Sequence, residues 1–339
     1  WGAVLLRLSR GRRTWTMLTS REGMAAFTEN APAKINLTLE VLGQRPDGYH
    51  EIRSVLSTIS LNDTIEVRDG QGIVVTAAEE YDPLGLPQGP AEQNTVDRAL
   101  GLIAALRLGN ITGRSISEAE GLRRGLEEVS LTLEKAIPAA AGLGGGSSDA
   151  AAALRCLSRY LSLDLGEGQL TELAAMIGSD CPFFVRGGVQ LAWGRGDLLR
   201  PLSPPRPTWF CLLKPPIVRP HKTASLFSLL READFSRGDA TRGLELRLRE
   251  NPGTELRPAD LSNTFDNVAD LAFGNFDEYR QALFTNGALA VHLCGSGPTL
   301  YGLFSDAQGC RAAGNSLAKE GYSTWTAYAP ATEVKTPTC

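Results

Sequence analysis

The sequence lacks several patterns that would assign it to a large class of proteins. None of its six cysteines forms a Cys-x-x-Cys pair, so it shows neither a disulfide framework nor the ligand spacing of a zinc site. Most of them are next to apolar residues, and we expect these to be small core residues in a reducing cytoplasm. No stretch approaches the ~20 apolar residues that span a bilayer. The formal net charge of −4 gives no electrostatic reason to expect nucleic acid or an anionic membrane as a partner.

The motifs of the commonest nucleotide-binding proteins are also missing. The dipeptide Gly-Lys of the P-loop occurs nowhere, and neither do His-Arg-Asp and Asp-Phe-Gly of protein kinases. The glycines from Gly142 onward match a dinucleotide-binding fingerprint only in part, because Ser147 occupies a position that requires glycine or alanine. Asp164 follows at a suitable distance, but no series of parallel βαβ units surrounds it.

The first 23 residues are rich in arginine, with five arginines and a single acidic residue, Glu22. This composition is typical of an organelle transit peptide. The alternative is an upstream extension that precedes a native start at Met24. We favour the extension and leave residues 1–29 out of the predicted fold, as a segment without ordered structure.

The rest of the sequence predicts an α+β protein of two domains. Strands and helices are mixed without a regular βαβ repeat, and 339 residues exceed one ordinary domain. We predict an N-terminal domain over residues 30–200, a C-terminal domain over 201–331 and a tail over 332–339. The Pro-rich passage over 201–210 is interpreted as the crossing between the domains.

Local patterns place the main elements. Alternation of apolar and polar residues predicts a strand over 35–42, followed by a turn at Pro46–Gly48 and a β-rich stretch to Val67. A Pro- and Gly-rich loop over 80–92 precedes a helix that Asn94 opens. Further strands are predicted over the ranges 131–138, 210–213, 288–293 and 299–304.

The strongest pattern is the run PAAAGLGGGSSDAAAAL over 138–154, in which four glycines separate a strand from an Ala-rich helix. Glycine tolerates positive φ and lets backbone N–H groups approach a ligand closely. Ser147 or Ser148 is expected to cap the helix, whose N–H groups and dipole would face an anion, usually phosphate. A flexible connector is the alternative, but a connector is rarely framed by a strand and a strong helix former. We therefore predict a phosphate site.

This run resembles the second motif of the GHMP family of small-molecule kinases. PAKINLTLEVLGQRPDGYHEI (32–52) resembles the first motif, in the form of the diphosphocytidyl-methylerythritol kinases, and HLCGSGPTLYGLF (292–304) is similar to the third. The resemblance extends to IGSDCPFFVRGGVQLAWGRGDLL (177–199). Three motifs in this order make it specific to the family.

The resemblance implies a two-domain GHMP fold with the active site in the cleft between the domains. It implies transfer of phosphate from ATP to the 2-hydroxyl of 4-diphosphocytidyl-2-C-methyl-D-erythritol in the non-mevalonate isoprenoid pathway, by a cytoplasmic monomer or homodimer. Two alternatives remain open. One is a related kinase acting on homoserine, mevalonate or a phosphorylated sugar, and the other is a catalytically silent nucleotide-binding protein on this fold.

The resemblance also assigns the catalytic pair. From the residues alone, Asp180 is a turn aspartate before an apolar strand, and Lys34 is a surface lysine at the start of a strand. The family match makes Asp180 the base that receives the hydroxyl proton and Lys34 its cationic partner. Asn36 lies two residues from Lys34 on the same strand face and is expected to contact the same substrate.

Other matching positions are assigned to the two ligands. Tyr49 and His50 are expected to hold the cytosine by stacking and hydrogen bonds, with Thr223 and Phe227 as the opposite wall. The turn Gly295, Ser296, Gly297 is expected to close against the phosphate loop beside the substrate. Mg²⁺ should accompany ATP, with Ser147 or Ser148 near it, although no carboxylate cluster identifies a dedicated metal site. The nucleotide positions are Asn94, Lys135 (on an exposed strand edge), Pro138, Ala139, Ala140, Ala141, Gly142, Leu143, Gly144, Gly145, Gly146, Ser147 and Ser148.

Overall fold

The structure, a computed structural model, describes the backbone of residues 5–9 and 12–16 and then residues 26–78, 95–107, 126, 128–217, 219 and 222–329. The chain divides into two compact units, each built from three separate segments. The first unit comprises Trp1–Ala33, Asn62–Ala139 and Gly144–Arg186, and the second comprises Lys34–Leu61, Ala140–Leu143 and Gly187–Cys339. Mixed helices and strands in two units confirm the α+β, two-domain prediction. The sequential boundaries predicted for the domains remain a prediction.

Antiparallel and parallel strands form the sheet of the first unit. The strands up to the glycine loop are β1 (Leu5–Ser9), β2 (Arg12–Thr16), β3 (Phe27–Gln44), β4 (His50–Asp69), β5 (Gly72–Ala78) and β6 (Val129–Lys135). Within this unit β2 pairs antiparallel with β1 and β5, and β6 pairs parallel with β5 and antiparallel with residues 64–69 of β4. β1 and β2 lie in the segment that the sequence analysis leaves out of the fold.

Helices complete the first unit. They are α1 (Thr95–Arg107), α2 (Gly145–Tyr160), α3 (Glu167–Ile177) and α4 (Cys181–Arg186). The Ala-rich α2 packs against the other three, and Ala150–Leu154 are fully buried. Arg155 is buried on the same helix and donates to the carbonyl oxygen of Phe184 at 2.6 Å, so it satisfies an acceptor of the short α4.

The second unit contains the remaining described strands and α-helices. These are β7 (Val189–Gly194), β8 (Leu198–Pro201), β9 (Thr208–Lys214), α5 (Lys222–Leu229), α6 (Asp239–Glu250), β10 (Ser262–Asn263), α7 (Ala269–Phe273), α8 (Phe276–Thr285), β11 (Ala290–Leu293), β12 (Leu300–Phe304), α9 (Ala307–Lys319) and β13 (Ser323–Ala329). The predicted strands near 210, 290 and 300 are therefore confirmed as β9, β11 and β12. The Pro-rich passage over 201–210 lies wholly within this unit, from the last residue of β8 to the third residue of β9.

Two sets of strands organise the second unit. Residues 52–57 of β4 pair antiparallel with β7, and β10 pairs parallel with β3 at Thr38 and Leu39. A separate antiparallel sheet has the order β11-β12-β9-β13. The core of the unit joins residues of both sets, including Leu39, Leu213, Leu293 and Phe304. Through Leu39 and Leu293 this core holds β3, which carries Lys34 and Asn36, and the end of β11, which precedes Gly295.

The cysteine prediction is confirmed for the described part of the chain. Cys156, Cys181, Cys211, Cys294 and Cys310 are buried and free, and burial raises the pKa of Cys294 to about 12. Cys339, Asn94, the loop predicted over 80–92 and the tail over 332–339 lie outside the described residues. Among the residues that the structure describes, no helix has the length and apolar composition to span a bilayer.

Candidate active site

The glycine loop leads directly into α2. Gly144 precedes the helix with φ of 73°, in the left-handed region that favours glycine, and the helix begins at Gly145. The prediction that Ser147 or Ser148 caps this helix is wrong, because the glycine turn starts the helix before either serine and no side chain caps it. Ser148 N–H donates to the Gly144 carbonyl at 2.9 Å. Helix geometry leaves the earlier N–H groups without acceptors inside the helix, as an anion site requires.

The two serines differ in accessibility. The side chain of Ser148 is buried, and its hydroxyl has no hydrogen-bond partner within the part of the chain that the structure describes. Ser147 is half-buried and is the more accessible of the two. Thr95 donates its hydroxyl to the Gly146 carbonyl at 2.6 Å, which ties the first turn of α2 to the start of α1.

Lys135 lies in a buried ion cluster beside the start of α2. Its Nζ donates to Asp63 and, at 2.6 Å, to Oδ2 of Asp149. The expectation that Lys135 occupies an exposed strand edge is wrong, because β6 has β5 on one side and β4 on the other. An added Cβ at Gly145 would lie 3.5 Å from Lys135 Nζ, so the ammonium group is next to the first helical residue of α2.

The two carboxylates of this cluster were not identified as site residues from the sequence. Asp63 Oδ1 accepts from the backbone N–H groups of Ala136 and Ile137, at 2.6 and 2.8 Å, and so fixes the chain as it enters the loop. Burial raises the pKa of Asp149 to about 8, with Lys135 lowering it and Asp63 raising it. No sequence signal identified Asp63, which lies between Asn62 and Thr64 in a β-rich stretch without a motif.

Ala140–Leu143, the part of the glycine loop in the second unit, packs on the turn of the third motif. Ala140 has φ of 51° and Gly142 has φ of 84°. An added Cβ at Gly142 would lie 2.0 Å from the Cys294 carbonyl oxygen, which excludes any other residue without movement of the backbone. The structure therefore brings two of the predicted motifs into direct contact.

Lys34 and Asn36 lie on β3 as the sequence predicts, side by side. Lys34 is buried and its Nζ donates to Asn36 Oδ1 at 2.8 Å, while Asn36 Nδ2 donates to the Ser54 hydroxyl at 2.8 Å. An added Cβ at Gly295 would lie 2.8 Å from Lys34 Nζ. Lys34 is thus an interior residue against the third-motif turn rather than a surface lysine.

The third-motif turn is held by side chains that the sequence analysis did not identify. Asn263 donates from Nδ2 to the carbonyl oxygens of Leu293 and Gly295, at 3.0 and 2.9 Å. Lys222 donates from Nζ to the carbonyl oxygens of Ala140 and Gly297. Burial, followed by the charge of Lys34, lowers the pKa of Lys222 to about 8. The sequence analysis assigned roles to Thr223 and Phe227 on the same helix and none to Lys222.

Two of the residues predicted to hold the cytosine, Thr223 and Phe227, lie one turn apart on α5, and His50 contacts Phe227. The His50 ring stacks on Phe227 with 4.6 Å between centroids, and burial lowers the pKa of His50. Thr223 Oγ1 lies 2.8 Å from Ser296 Oγ. Tyr49 is 57% exposed, with the Arg195 guanidinium carbon 5.0 Å from its ring centroid. An accessible aromatic ring is therefore next to a stacked histidine.

Asp180 is exposed in the turn directly before α4. The apolar strand expected after it is instead this helix. Pro182 is tolerated at the second helical position, since its missing N–H would have no acceptor there. A short apolar run shows no periodicity, so the sequence does not distinguish a helix from a strand. Asp180 belongs to the first unit and Lys34 to the second, so their pairing remains a prediction. Within the described residues no group of three His, Cys, Asp or Glu side chains is arranged to hold a metal ion.

Comparisons with known proteins agree with these motifs. Residues 104–188 match the GHMP kinases N terminal domain, and residues 247–323 match the GHMP kinases C terminal domain. A protein of Pelotomaculum thermopropionicum named 4-diphosphocytidyl-2-C-methyl-D-erythritol kinase is 38% identical over 286 residues, which are 84% of this chain and 91% of that protein. One of the same name from Dehalococcoides mccartyi is 34% identical, over 87% of this chain and 95% of its own length.

The chain belongs to the 4-diphosphocytidyl-2-C-methyl-D-erythritol kinase family of GHMP kinases. A crystal structure of a 4-(cytidine 5'-diphospho)-2C-methyl-D-erythritol kinase has a TM-score of 0.66 at 27% identity, and covers 89% of this chain and 98% of its own. Homoserine kinase from Cytophaga hutchinsonii has a TM-score of 0.61 at 16% identity, covering 92% of this chain and 96% of its own, and shows the shared fold alone.

Proposed function

We propose that the chain is an ATP-dependent kinase that phosphorylates the 2-hydroxyl of 4-diphosphocytidyl-2-C-methyl-D-erythritol, in the non-mevalonate pathway to isoprenoid precursors. The observation that carries the proposal is its identity of 33–38% with eight curated kinases of this name over at least 80% of the chain. The proposal extends to a cytoplasmic location and to a monomer or homodimer.

The glycine loop supplies the groups that would hold the ATP phosphates. Backbone N–H groups at the start of α2, together with the positive end of its dipole, favour a bound anion. The interlocked turns at Gly142 and Gly295 hold the preceding part of the loop. Lys135 Nζ lies next to Gly145 at the start of α2, where Asp63 and Asp149 fix its position. Asn94, outside the described residues, is retained as an adenine-side residue.

Magnesium belongs to the proposal through ATP rather than through a protein cage. Mg²⁺ keeps much of its hydration and is usually bound by substrate phosphates with one or two protein oxygens. The described residues offer no three-residue ligand cluster, whereas the half-buried Ser147 hydroxyl is at the start of α2. Ser147 would hold the ion, which neutralises phosphate charge when bound. The buried Ser148 is a weaker choice.

Asp180 and Lys34 are the proposed chemical groups. Asp180 would accept the proton of the 2-hydroxyl as its oxygen attacks the terminal phosphorus of ATP, and the bond to the ADP oxygen breaks. Asn36 accepts a hydrogen bond from Lys34 and so directs its ammonium group. A fixed cation stabilises negative charge on the attacking oxygen. The 2-hydroxyl is tertiary and hindered, so positioning at both ends of the substrate is important.

The cytidine end of the substrate would be held by the first motif and α5. The exposed Tyr49 ring is available for stacking, and His50 presents an imidazole whose orientation Phe227 fixes. Thr223 and Ser296 form a hydroxyl pair on the same side of α5. Lys34 and Asp180 would not distinguish a cytidine substrate from another alcohol, so these groups would supply the selectivity.

A substrate panel tests the proposal directly. The purified protein would be assayed with ATP and Mg²⁺ against the cytidylated methylerythritol, homoserine and mevalonate, with ADP release as the readout. We expect turnover of the cytidylated substrate far above the others. Equal turnover of homoserine or mevalonate would be consistent with a GHMP kinase but would contradict the proposed substrate. ATP binding by calorimetry with no turnover of any substrate would favour a catalytically silent protein.

A further inference from the structure

Lys222 makes two contacts that the proposed chemistry does not use. It is the first residue of α5, and its Nζ donates to the carbonyl oxygens of Ala140 and Gly297. These acceptors are 82 and 75 residues away along the chain. One belongs to the glycine loop and the other to the third-motif turn, so one ammonium group joins both turns to the helix.

The segment that Lys222 holds has an unfavourable backbone conformation. Ala140 has φ of 51°, in the left-handed region that an alanine rarely adopts. Such a residue persists only where its surroundings fix it. A charge-assisted hydrogen bond to its carbonyl oxygen orients the peptide that follows, and a second bond to Gly297 anchors the same ammonium group. Two residues after Ala140, the backbone of Gly142 also lies close to that of Cys294 and Gly297 in the third-motif turn.

The helix that carries Lys222 also carries the predicted cytosine wall. Thr223 contacts Ser296 through their hydroxyls, and Phe227 stacks on His50. The side chains of α5 therefore contact the glycine loop, the third-motif turn and the first motif within six residues of helix, Lys222 to Phe227. All of these contacts lie within the second unit.

We propose that Lys222 is a positioning residue for ATP, which fixes the glycine loop to α5 in the conformation that receives the phosphates. The inference rests on the proposed kinase function. Lys222 acts through the carbonyl groups of Ala140 and Gly297 and does not need to contact ATP itself. Loss of the ammonium group therefore weakens ATP binding, while the stacking of His50 on Phe227, and with it the affinity for the cytidylated substrate, is retained.

Lys222→Met tests this, because methionine keeps most of the apolar length and removes the charge. We expect the Kd for ATP from calorimetry, and the KM for ATP, to rise about tenfold or more, the scale of a lost hydrogen bond from a charged donor. The KM for the cytidylated substrate should change less than about twofold. Lys222→Arg, which keeps a cation, should restore most of the ATP affinity. Lys319→Met is the matched control, since Lys319 is exposed on α9 in the same unit.

Other outcomes contradict the inference. Lys222→Met with unchanged ATP affinity overturns it. Equal rises in both KM values, with a fall in Tm that Lys222→Arg does not reverse, indicate a structural role and also overturn it. Calorimetry separates the two proposals: a wild type that binds ATP but leaves the cytidylated substrate unphosphorylated contradicts the proposed substrate, while the effect of Lys222→Met on ATP affinity is still measured.

Discussion

The imidazole ring of His50 lies nearly parallel to the phenyl ring of Phe227, with 4.6 Å between centroids and 21° between planes. Phe227 in turn makes an edge contact with Phe265 at 4.9 Å, so the stack continues into the core of the second unit. A ring fixed in this way loses little freedom when it hydrogen-bonds a ligand. The adjacent Tyr49 is mostly exposed, with the Arg195 guanidinium group over its ring.

This arrangement predicts the effect of removing either first-motif ring. His50→Ala and Tyr49→Ala should each weaken binding of the cytidylated substrate by ~5- to 150-fold, which corresponds to ~1–3 kcal/mol for a lost stack or an unpaired polar group. ATP affinity should stay nearly constant. Calorimetry with each ligand measures both. Tyr328→Ala, at a partly exposed tyrosine on β13, is the control. Unchanged substrate affinity in both variants would remove these residues from the cytosine site.

Asp180→Asn tests the proposed base. Asparagine keeps the shape of the side chain and cannot accept the proton, so kcat should fall ~10²-fold or more with little change in ATP affinity. Pre-steady-state and steady-state rates of ADP formation measure the loss. Glu172→Gln, at an exposed acid on α3 in the same unit, should keep full activity. Turnover of Asp180→Asn near that of the wild type would assign the proton to another group.

The glycine loop can be tested at two positions. Gly144→Val places a branched side chain at φ of 73°, and Gly142→Ala places a Cβ 2.0 Å from the Cys294 carbonyl oxygen. Both should abolish measurable ATP binding, while circular dichroism retains the wild-type helix and strand content. Gly168→Ala is the matched control, because its added Cβ in α3 meets no atom within 4 Å. Retained ATP affinity in both loop variants would place the phosphates elsewhere.

The raised pKa of Asp149 predicts that the stability of the folded protein depends on pH. Its folded pKa is raised to about 8 from an ordinary value of 3.8, so from about pH 4 to about pH 8 the folded protein keeps a proton that the unfolded chain has lost. The stabilisation from this group is therefore complete below about pH 4 and declines as the pH rises towards 8. The free energy of unfolding of the wild type, relative to Asp149→Asn, should decrease from pH 5 to pH 8 in urea titrations. A difference independent of pH would contradict the raised pKa.

Local patterns predicted several of the elements, whereas the roles of the motif residues were assigned from the family resemblance. Alternation over 35–42 predicted β3, and the framed glycines predicted the start of α2, because both depend on neighbouring residues alone. The helix after Asp180 was not predicted, since a helix of six residues is too short to show a period. The same limit explains why the serines of the loop were assigned as caps: the residue that starts the helix is a glycine in a backbone conformation that composition does not reveal.

Contacts between distant segments could not be predicted from the sequence. The environment of Lys135 depends on Asp63, 72 residues earlier, and on the position of β6 between two strands. Lys222 has no motif of its own, and its acceptors are main-chain carbonyl groups, which every residue possesses. Only the fold brings Ala140 and Gly297 to the same ammonium group.

The alternation of segments between the two units has a consequence for synthesis of the protein. The chain passes from one unit to the other at five points, between residues 33 and 34, 61 and 62, 139 and 140, 143 and 144, and 186 and 187. The first unit therefore has all of its segments only after the ribosome has synthesised Arg186. The second unit has all of its segments only when nearly the whole chain has been synthesised. Neither unit can be expressed as one uninterrupted fragment, and a chaperone that shields the nascent chain would have to act until translation is almost finished.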